Sequence, residues 1–295
     1  MTPIEAPYFH SAPVSPTREL ASALERLRVR FATTNRRIHH LGAGYPHPEV
    51  SDPRSYIAHK EGSFPFGAED GDPYRMPWVS LARDIYVHAF AIGRVPVTNR
   101  LYRGFDPAHL LPANLLEQVN EAELLDHPVV NVSWYEAALF TEWLSQVIPG
   151  VRLPSEIEWE KAAGWDSAKS RKMRFPWGDE WRPEYVNSWE RGPNRTTLAG
   201  SYLQGAAPCG ALDMAGNVWE WCSNWFIEGD TLEHALAVGG RFPELEDDGT
   251  NRRVDRGGGW YHDVGYPATH VRAGDDPGDR FAHCGFRLAC SDIVS

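Results

Sequence analysis

The sequence lacks several features that would assign it to a broad class of proteins at once. It has no apolar run of about 18 residues, so we expect no transmembrane helix. Its first residues lack the basic segment and apolar core of a secretory signal, which predicts a cytoplasmic protein. Its four cysteines, at 209, 222, 284 and 290, show no CxxC spacing and predict no zinc site. A net charge of -11 argues against a nucleic-acid partner.

A second, local deficit lies near the C-terminus. Residues 261–284 contain no Trp, Gln, Glu, Lys or Met. These types make up roughly a sixth of the remaining chain, so chance gives such a stretch in only about one or two per cent of cases. None of the five can be encoded by a codon that ends in C. The deficit arises either by chance in a region rich in Asp and Gly, or because the segment is encoded by codons that end in C.

Aromatic residues and glycines are abundant instead. Twelve Trp and 26 Gly predict a loop-rich fold held by aromatic clusters rather than a helix bundle. The clearest unit runs from residue 253 to 289, where RGGGW and GFRLA frame an irregular interior. Trp260, Phe286 and Leu288 are predicted core residues. The interior has neither strand nor helix periodicity, which predicts an exposed binding surface.

Local signals predict two main helices and several short strands. Ser133 with Glu136, and Ser155 with Glu158, form capping boxes at the two helix starts. We therefore interpret the carboxylates of these two stretches, which include Glu156 and Glu160, as caps and solvated helix faces rather than as an acid/base pair. The first helix is predicted to bury Ala137, Phe140, Leu144 and Val147 and to end at Pro149-Gly150. A broken alternation at Val79, Leu81, Ile85, Val87 and Ala89 predicts strands.

The N-terminal extension carries a separate set of signals. Ser15-Pro16 predicts a helix start, with apolar residues following at helical spacing to Phe31. This helix packs either on the main domain or on a partner. His39, His40 and His47 are either candidate metal ligands or scattered loop histidines. The second interpretation is favoured, because no carboxylate is spaced to orient them as ligands. The acidic, turn-rich residues 228–252 predict a surface insertion.

Several motifs resemble the formylglycine-generating-enzyme (sulfatase-modifying factor) family. They are PVVNVSW, RLPSEIEWE, DMAGNVWEW, RVDRGGGW and GFRLA, and the resemblance covers roughly residues 55–290. It implies an α+β, C-type-lectin-like fold with short strands, two main helices and much irregular structure. We predict an N-terminal extension over 1–54 and a lectin-like domain over 55–295.

One branch of this family implies a function. It comprises the variable proteins of diversity-generating retroelements, in which randomised adenines leave NNC codons between an RGG frame and GFRLA. The resemblance implies a diversified surface, with a candidate variable region over 255–284, that binds an unknown protein or small molecule. The implied variable positions are Tyr261, His262, Asp263, Gly265, Tyr266, His270, Ala273, Gly274, Asp275, Asp276, Gly278, Phe281, Ala282 and His283.

The resemblance also bears on metals and catalysis. It implies a structural calcium site at Asn187, Ser188, Asn217 and Glu220, or else loop hydrogen bonds from the same side chains. Catalytic members carry a copper-binding cysteine pair after the RGG frame, and residues 259–267 have none. We therefore expect no enzyme activity and no required cofactor. The alternative is a metal-dependent oxidoreductase, for which His262, Asp263, His270 and His283 are candidate ligands. Related sulfoxide synthases bind iron in a separate helical domain, for which 1–54 is too short.

Overall fold

The computed structural model describes residues 55–226 and 252–291. The predicted N-terminal helix and histidines His39, His40 and His47 lie outside these residues, as does almost all of the acidic insertion. The division at residue 54 stays a prediction. None of the described helices is both long enough and apolar enough to cross a membrane.

The described residues form an α+β fold of short elements joined by long irregular segments, which confirms the expected fold class. The strands are β1 Tyr56–His59, β2 Gly62–Phe66, β3 Arg83–Val87, β4 Phe90–Gly93, β5 Val151–Arg152, β6 Trp165–Asp166, β7 Arg171–Lys172, β8 Trp219–Phe226, β9 Arg252–Arg256, β10 Arg272–Asp275, β11 Cys284–Gly285 and β12 Ala289–Cys290. The helices are α1 Asn99–Tyr102, α2 Ala113–Leu116, α3 Glu121–Leu124, α4 Trp134–Ser145 and α5 Glu156–Gly164.

Two four-stranded sheets organise these elements. The first has the order β1-β4-β12-β5, and the second has the order β10-β9-β8-β11. In the second sheet β9 is antiparallel to both neighbours, whereas β11 runs parallel to β8. The pairs β2-β3 and β6-β7 form separate ribbons. The second sheet therefore joins the strand before the RGG frame to the strand that opens GFRLA.

The two main helices begin where the sequence predicts. The hydroxyls of Ser133 and Ser155 accept hydrogen bonds from the N3 backbone, and the N3 glutamates complete both capping boxes. Within α4, Ala137, Phe140 and Leu144 are buried. The expectation for Val147 is wrong, because α4 ends at Ser145 and Val147 is 46% exposed.

The predicted strands are correct in part. Ile85 and Val87 are buried on β3. Leu81 breaks the pattern, because it precedes the strand and is 41% exposed. Phe286 lies fully buried against Tyr102 and Phe140, as expected of a core anchor. Trp260 is only half-buried, so the expectation of a core position is wrong for this residue, although residues 256–259 before it are buried.

One face of the second sheet carries buried ion pairs. Arg256 of β9 and Arg272 of β10 are register partners, so their side chains share a face. Arg256 pairs with Glu160 of α5, and Arg272 Nη2 lies 2.9 Å from Glu156 Oε1 of the same helix. The expectation of solvated helix faces is wrong for these two glutamates, which are 0% and 1% exposed.

Backbone hydrogen bonds hold the frame of the irregular segment. Gly257 and Gly258 have φ of +98° and +71°, where a side chain would be strained. The amide of Trp260 donates to the Asn217 carbonyl, and the amide of Trp219 donates to the His283 carbonyl. The DMAGNVWEW motif is thus bound to both ends of the irregular segment.

Candidate functional site

Six side chains from three parts of the chain meet at the second sheet, and we call them the ring cluster. They are Trp219, Tyr261, His262, Tyr266, Phe281 and His283. Ring centroids lie 5.1 Å apart between Phe281 and His283, 4.4 Å between His283 and Tyr261, and 3.9 Å between Tyr261 and His262. His262 then stacks on Tyr266, also at 3.9 Å. The rings form one continuous series from Phe281 to Tyr266.

The two imidazoles of the ring cluster are neutral at neutral pH. Burial, and secondarily the neighbouring His283, lowers the pKa of His262 to about 3. Burial lowers the pKa of His283 to about 4. Trp219 Nε1, which can only donate, lies 3.1 Å from His262 Nδ1, so the proton of His262 is on Nε2. The cluster thus offers flat apolar faces and imidazole nitrogens without positive charge.

A pair of carboxyl groups lies next to the ring cluster. Asp255 on β9 pairs in register with Ala273 on β10, so Asp275, two residues further, points to the same face as Asp255. The two side chains share a hydrogen bond, and burial followed by the neighbouring Asp275 charge raises the pKa of Asp255 well above its ordinary value. Burial also raises the pKa of Asp275. Burial and the mutual repulsion of the two charges therefore favour a proton shared between the carboxyls.

Tyr261 connects the carboxyl pair to the rings. Burial, joined by the charges of Asp255 and Asp275, raises the pKa of its hydroxyl, which stays protonated at all physiological pH values. Burial, joined by the charges of the same two carboxyls, raises the pKa of the Cys284 thiol well above the ordinary value. A protonated, fully buried thiol is a poor nucleophile and a poor metal ligand.

The structure brings together only part of the predicted variable surface. Five of the positions form the ring cluster with Trp219, and Asp275 belongs to the carboxyl pair. His270 lies apart, 3% exposed beside Asp72, and burial lowers its pKa to about 4. Asp263 is exposed to solvent. Asp276 accepts a hydrogen bond from the Gly278 amide and so shapes a turn.

The small residues of the segment differ in the room around them. A Cβ added at Gly274 would lie 2.2 Å from the Phe226 ring, whereas one added at Gly265 would lie 3.9 Å from its nearest neighbour. Ala273 and Ala282 are half-buried. Exchange of side chains is therefore sterically open at Gly265 and blocked at Gly274.

The residues predicted for calcium differ in their positions and partners: Asn187, Ser188 and Asn217 lie in loops, whereas Glu220 lies on β8. Both carboxylate oxygens of Glu220 accept hydrogen bonds from Arg287, and Trp159 Nε1 donates to Oε2 at 2.7 Å. Asn217 Oδ1 accepts from Asn187 Nδ2 and the Thr197 amide, both at 3.0 Å. The Ser188 carbonyl accepts from the Gly192 amide. Calcium at these residues stays a prediction.

Two contributors to the site escaped identification from the sequence. Trp219 sits inside the DMAGNVWEW motif, where its role in the ring cluster depends on contacts to residues more than 40 positions away. Asp255 stands between Val254 and Arg256 on a strand whose other residues are mostly buried. The signal that could have identified it is a carboxylate among the buried residues of a strand.

The chain matches the model of the sulfatase-modifying factor enzyme 1-like domain over residues 45–292. It belongs to this family. Its matches include hercynine oxygenase of Mycolicibacterium thermoresistibile, 32% identical over 247 residues that cover 74% of this chain and 54% of that protein. They also include the formylglycine-generating enzyme of Thermomonospora curvata, 29% identical, covering 81% and 94%. The chain spans about half the length of the hercynine oxygenase.

A solved structure supports the fold independently. Treponema denticola variable protein 1 superposes with a TM-score of 0.63 at 22% identity, covering 80% of this chain and 94% of that one. At this identity the likeness shows the fold alone. It agrees with the lectin-like architecture implied by the sequence motifs.

These relatives correct one expectation. The missing cysteine pair led us to expect that the protein is not an enzyme, and that expectation is wrong, because the curated relatives are named as oxygenases and formylglycine-generating enzymes. The physical reason is that one absent metal-binding pair removes one chemistry from the scaffold. It does not decide what other chemistry the scaffold supports.

The described residues do not fit the metal sites that the family implies. Residues 259–267 offer no thiolate for copper, and the one thiol near the cluster, Cys284, is held protonated. Across 55–226 and 252–291, no three His, Cys, Asp or Glu side chains are grouped to hold a metal ion. In particular, His262 and His283 are neighbours, but Asp263 and His270 are not brought to them.

Proposed function

We propose that the protein is a metal-dependent oxidoreductase of the sulfatase-modifying factor family and that its substrate binds at the ring cluster. The observation that carries the proposal is the convergence of six rings with two neutral imidazoles beside a proton-sharing carboxyl pair. Aromatic faces supply large contact areas for a flat ligand, and neutral imidazoles donate or accept single hydrogen bonds. The names of the curated relatives support oxidative chemistry on this scaffold.

Because residues 55–226 and 252–291 group no three His, Cys, Asp or Glu side chains for a metal ion, the proposal takes ligands from the rest of the chain. His39, His40 and His47 are among the candidates that the sequence offers there. Metal analysis of the purified full chain tests this directly. We expect close to one equivalent of a transition metal, and replacement of all three histidines by Ala should remove it. A metal-free protein after purification without chelators would contradict the proposal.

Oxygen uptake tests the activity itself. The probes follow from the relatives: hercynine, supplied with and without a small thiol, and a cysteine-containing peptide. We expect oxygen consumption above background with at least one probe, dependent on the bound metal. The triple histidine variant serves as the matched control, because it keeps the whole described domain. Equal uptake by that variant and the natural protein would reject metal-dependent catalysis.

The composition of residues 261–284 favours a second candidate function. In it, the ring cluster and its neighbours form a diversified surface whose ligand changes with its side chains, as in a diversity-generating retroelement. The absence of all five residue types that C-ending codons cannot encode supports it. Tyrosine, histidine and aspartate at the surface are contact residues of the kind that paratopes use.

Sequencing of the 3′ end of the gene from many cells, with flanking DNA, tests the second candidate. Diversification predicts variation confined to adenine-derived codon positions, with a near-copy of the segment beside a reverse-transcriptase gene. Codon 272, for the buried Arg272, is the internal control and should stay constant. Fixed codons without a nearby template would reject this candidate.

A further inference from the structure

Asp255 is a buried carboxyl group with an unused acceptor. It is 1% exposed, and its Oδ1 has no hydrogen-bond partner within the described part of the chain. The side chain also shares a hydrogen bond with Asp275 and accepts one from its own backbone amide. Leaving a buried polar atom unpaired destabilises a folded protein, so the unpaired oxygen calls for an explanation.

The buried cations of this sheet have other partners, while the charge of the exposed Arg252 partly offsets the raised pKa of Asp275. Arg256 and Arg272 point to the opposite face, where glutamates of α5 bind them. Arg253 shares the face of Asp255, but its guanidinium lies between the indoles of Trp134 and Trp225, 3.7 and 3.5 Å from their centroids. Within residues 55–226 and 252–291, no ion pair reaches either Asp255 or Asp275.

The surroundings of the pair define what it accepts. Two carboxyls disfavour an anion, and the described residues provide too few ligands for a metal ion. Tyr261, Phe281 and Ala273 are half-buried and pack against the same hydrophobic core, and the charges of Asp255 and Asp275 act on the Tyr261 hydroxyl. A carboxylate oxygen that lacks a hydrogen-bond donor and lies beside aromatic faces favours binding of a cation that carries N–H groups.

We propose that Asp255 and Asp275 bind the ammonium or guanidinium group of an organic ligand whose body stacks on the ring cluster. Where that ligand is the substrate, the inference rests on the proposed function. The N–H donors of the cation satisfy Asp255 Oδ1, and its charge replaces the proton that the two carboxyls share. The entry lies at Asp275, which is half-buried, whereas Asp255 forms the base of the site.

Binding of the cation is therefore coupled to proton release. The ionised pair attracts the cation, so affinity rises as the pH rises through the raised pKa of the carboxyl pair. Neighbouring charges modulate this coupling. The groups that act on the pair are Arg252, Arg256, Tyr261, Asp276, Asp279 and Cys284.

Three probes with the same phenylethyl body separate charge from hydrogen bonding. 2-Phenylethylammonium has a ring, a charge and N–H donors; its N,N,N-trimethyl derivative keeps the charge without donors; 2-phenylethanol has no charge. Titration of the full chain, followed by NMR, should give the tightest binding for the first probe. We expect the other two to bind at least about tenfold more weakly. Equal affinity of the trimethyl derivative would overturn the hydrogen-bonding part of the inference.

Substitutions locate the site. Asp255→Asn keeps the shape of the side chain and should weaken binding of 2-phenylethylammonium at least about tenfold. Asp84→Asn, which removes an exposed carboxylate of β3, should leave affinity unchanged. If Asp255→Asn fails to fold by its thermal melt, Asp275→Asn provides the same test at the half-buried partner. Natural affinity in a folded Asp255→Asn variant would overturn the inference.

The binding measurement is independent of turnover. Amine binding that depends on Asp255, in a protein that consumes no oxygen, supports the site and rejects the proposed oxidoreductase. Oxygen consumption by a protein that does not bind the amine rejects the site and keeps the oxidoreductase. The two hypotheses therefore fail separately.

Discussion

At the scale of single residues, Asp255 makes stability depend on pH. Its folded-state pKa is raised by burial and by Asp275, whereas in the unfolded chain it ionises near its ordinary pKa of about 3.9. Above about pH 4 the folded state therefore binds more protons than the unfolded chain. The stability that protonated Asp255 contributes is present below about pH 4 and is lost as the pH rises through the raised pKa. Asp255→Asn cannot ionise and should gain melting temperature relative to the natural protein between about pH 5 and about pH 8. A difference that is constant across this range would show that Asp255 is already ionised in the folded protein at pH 5, so that its pKa is not raised.

Two glycines of the irregular segment form a matched pair. Gly274→Ala pushes a methyl group into the Phe226 ring and should lower the free energy of unfolding by about 1–3 kcal/mol. Gly265→Ala has free space and should change it by less than about 0.5 kcal/mol. Chemical denaturation of both variants measures the difference. Equal stability would mean that β10 shifts to accept a side chain, and that position 274 tolerates exchange after all.

At the scale of elements, helix α5 is tied to the sheet by buried charge. Glu160 binds both Lys172 and Arg256 and accepts the Gly67 amide at 2.7 Å. Glu160→Gln leaves two buried cations without their counter-ion and should cost about 3–5 kcal/mol of unfolding free energy. Glu180→Gln, which breaks an exposed pair with Arg182, should have little effect. Similar losses in both variants would show that the buried pairs do not stabilise the sheet.

The elements also show how far sequence reasoning reaches. Both helix starts follow from residues three positions apart, so the capping boxes were readable directly. The ion pairs of α5 were not, because Glu160 and Arg256 stand 96 positions apart and only the folded sheet joins them. For the same reason Glu156 and Glu160 looked like solvated residues.

At the scale of the whole molecule, the motifs gave the family and the fold, because they form the frame that positions the second sheet. They did not give the site. The ring cluster depends on β8, the RGG frame and the residues before GFRLA meeting at one place, and His270 left the predicted surface for the core. Absence of the cysteine pair was likewise too local an observation to decide whether the protein is an enzyme.

The most direct test of the account compares two exposed tyrosines in the oxygen-uptake assay. Tyr266 is 36% exposed and stacks on His262 in the ring cluster, whereas Tyr86 is 51% exposed and lies on β3. The account predicts that Tyr266→Ala lowers kcat/KM about tenfold or more with little change in Tm, as loss of one ring contact of about 1.4 kcal/mol would do. Tyr86→Ala should keep natural kcat/KM. Unchanged kcat/KM in Tyr266→Ala, or no uptake by the natural protein with any probe, would contradict a substrate site at the ring cluster.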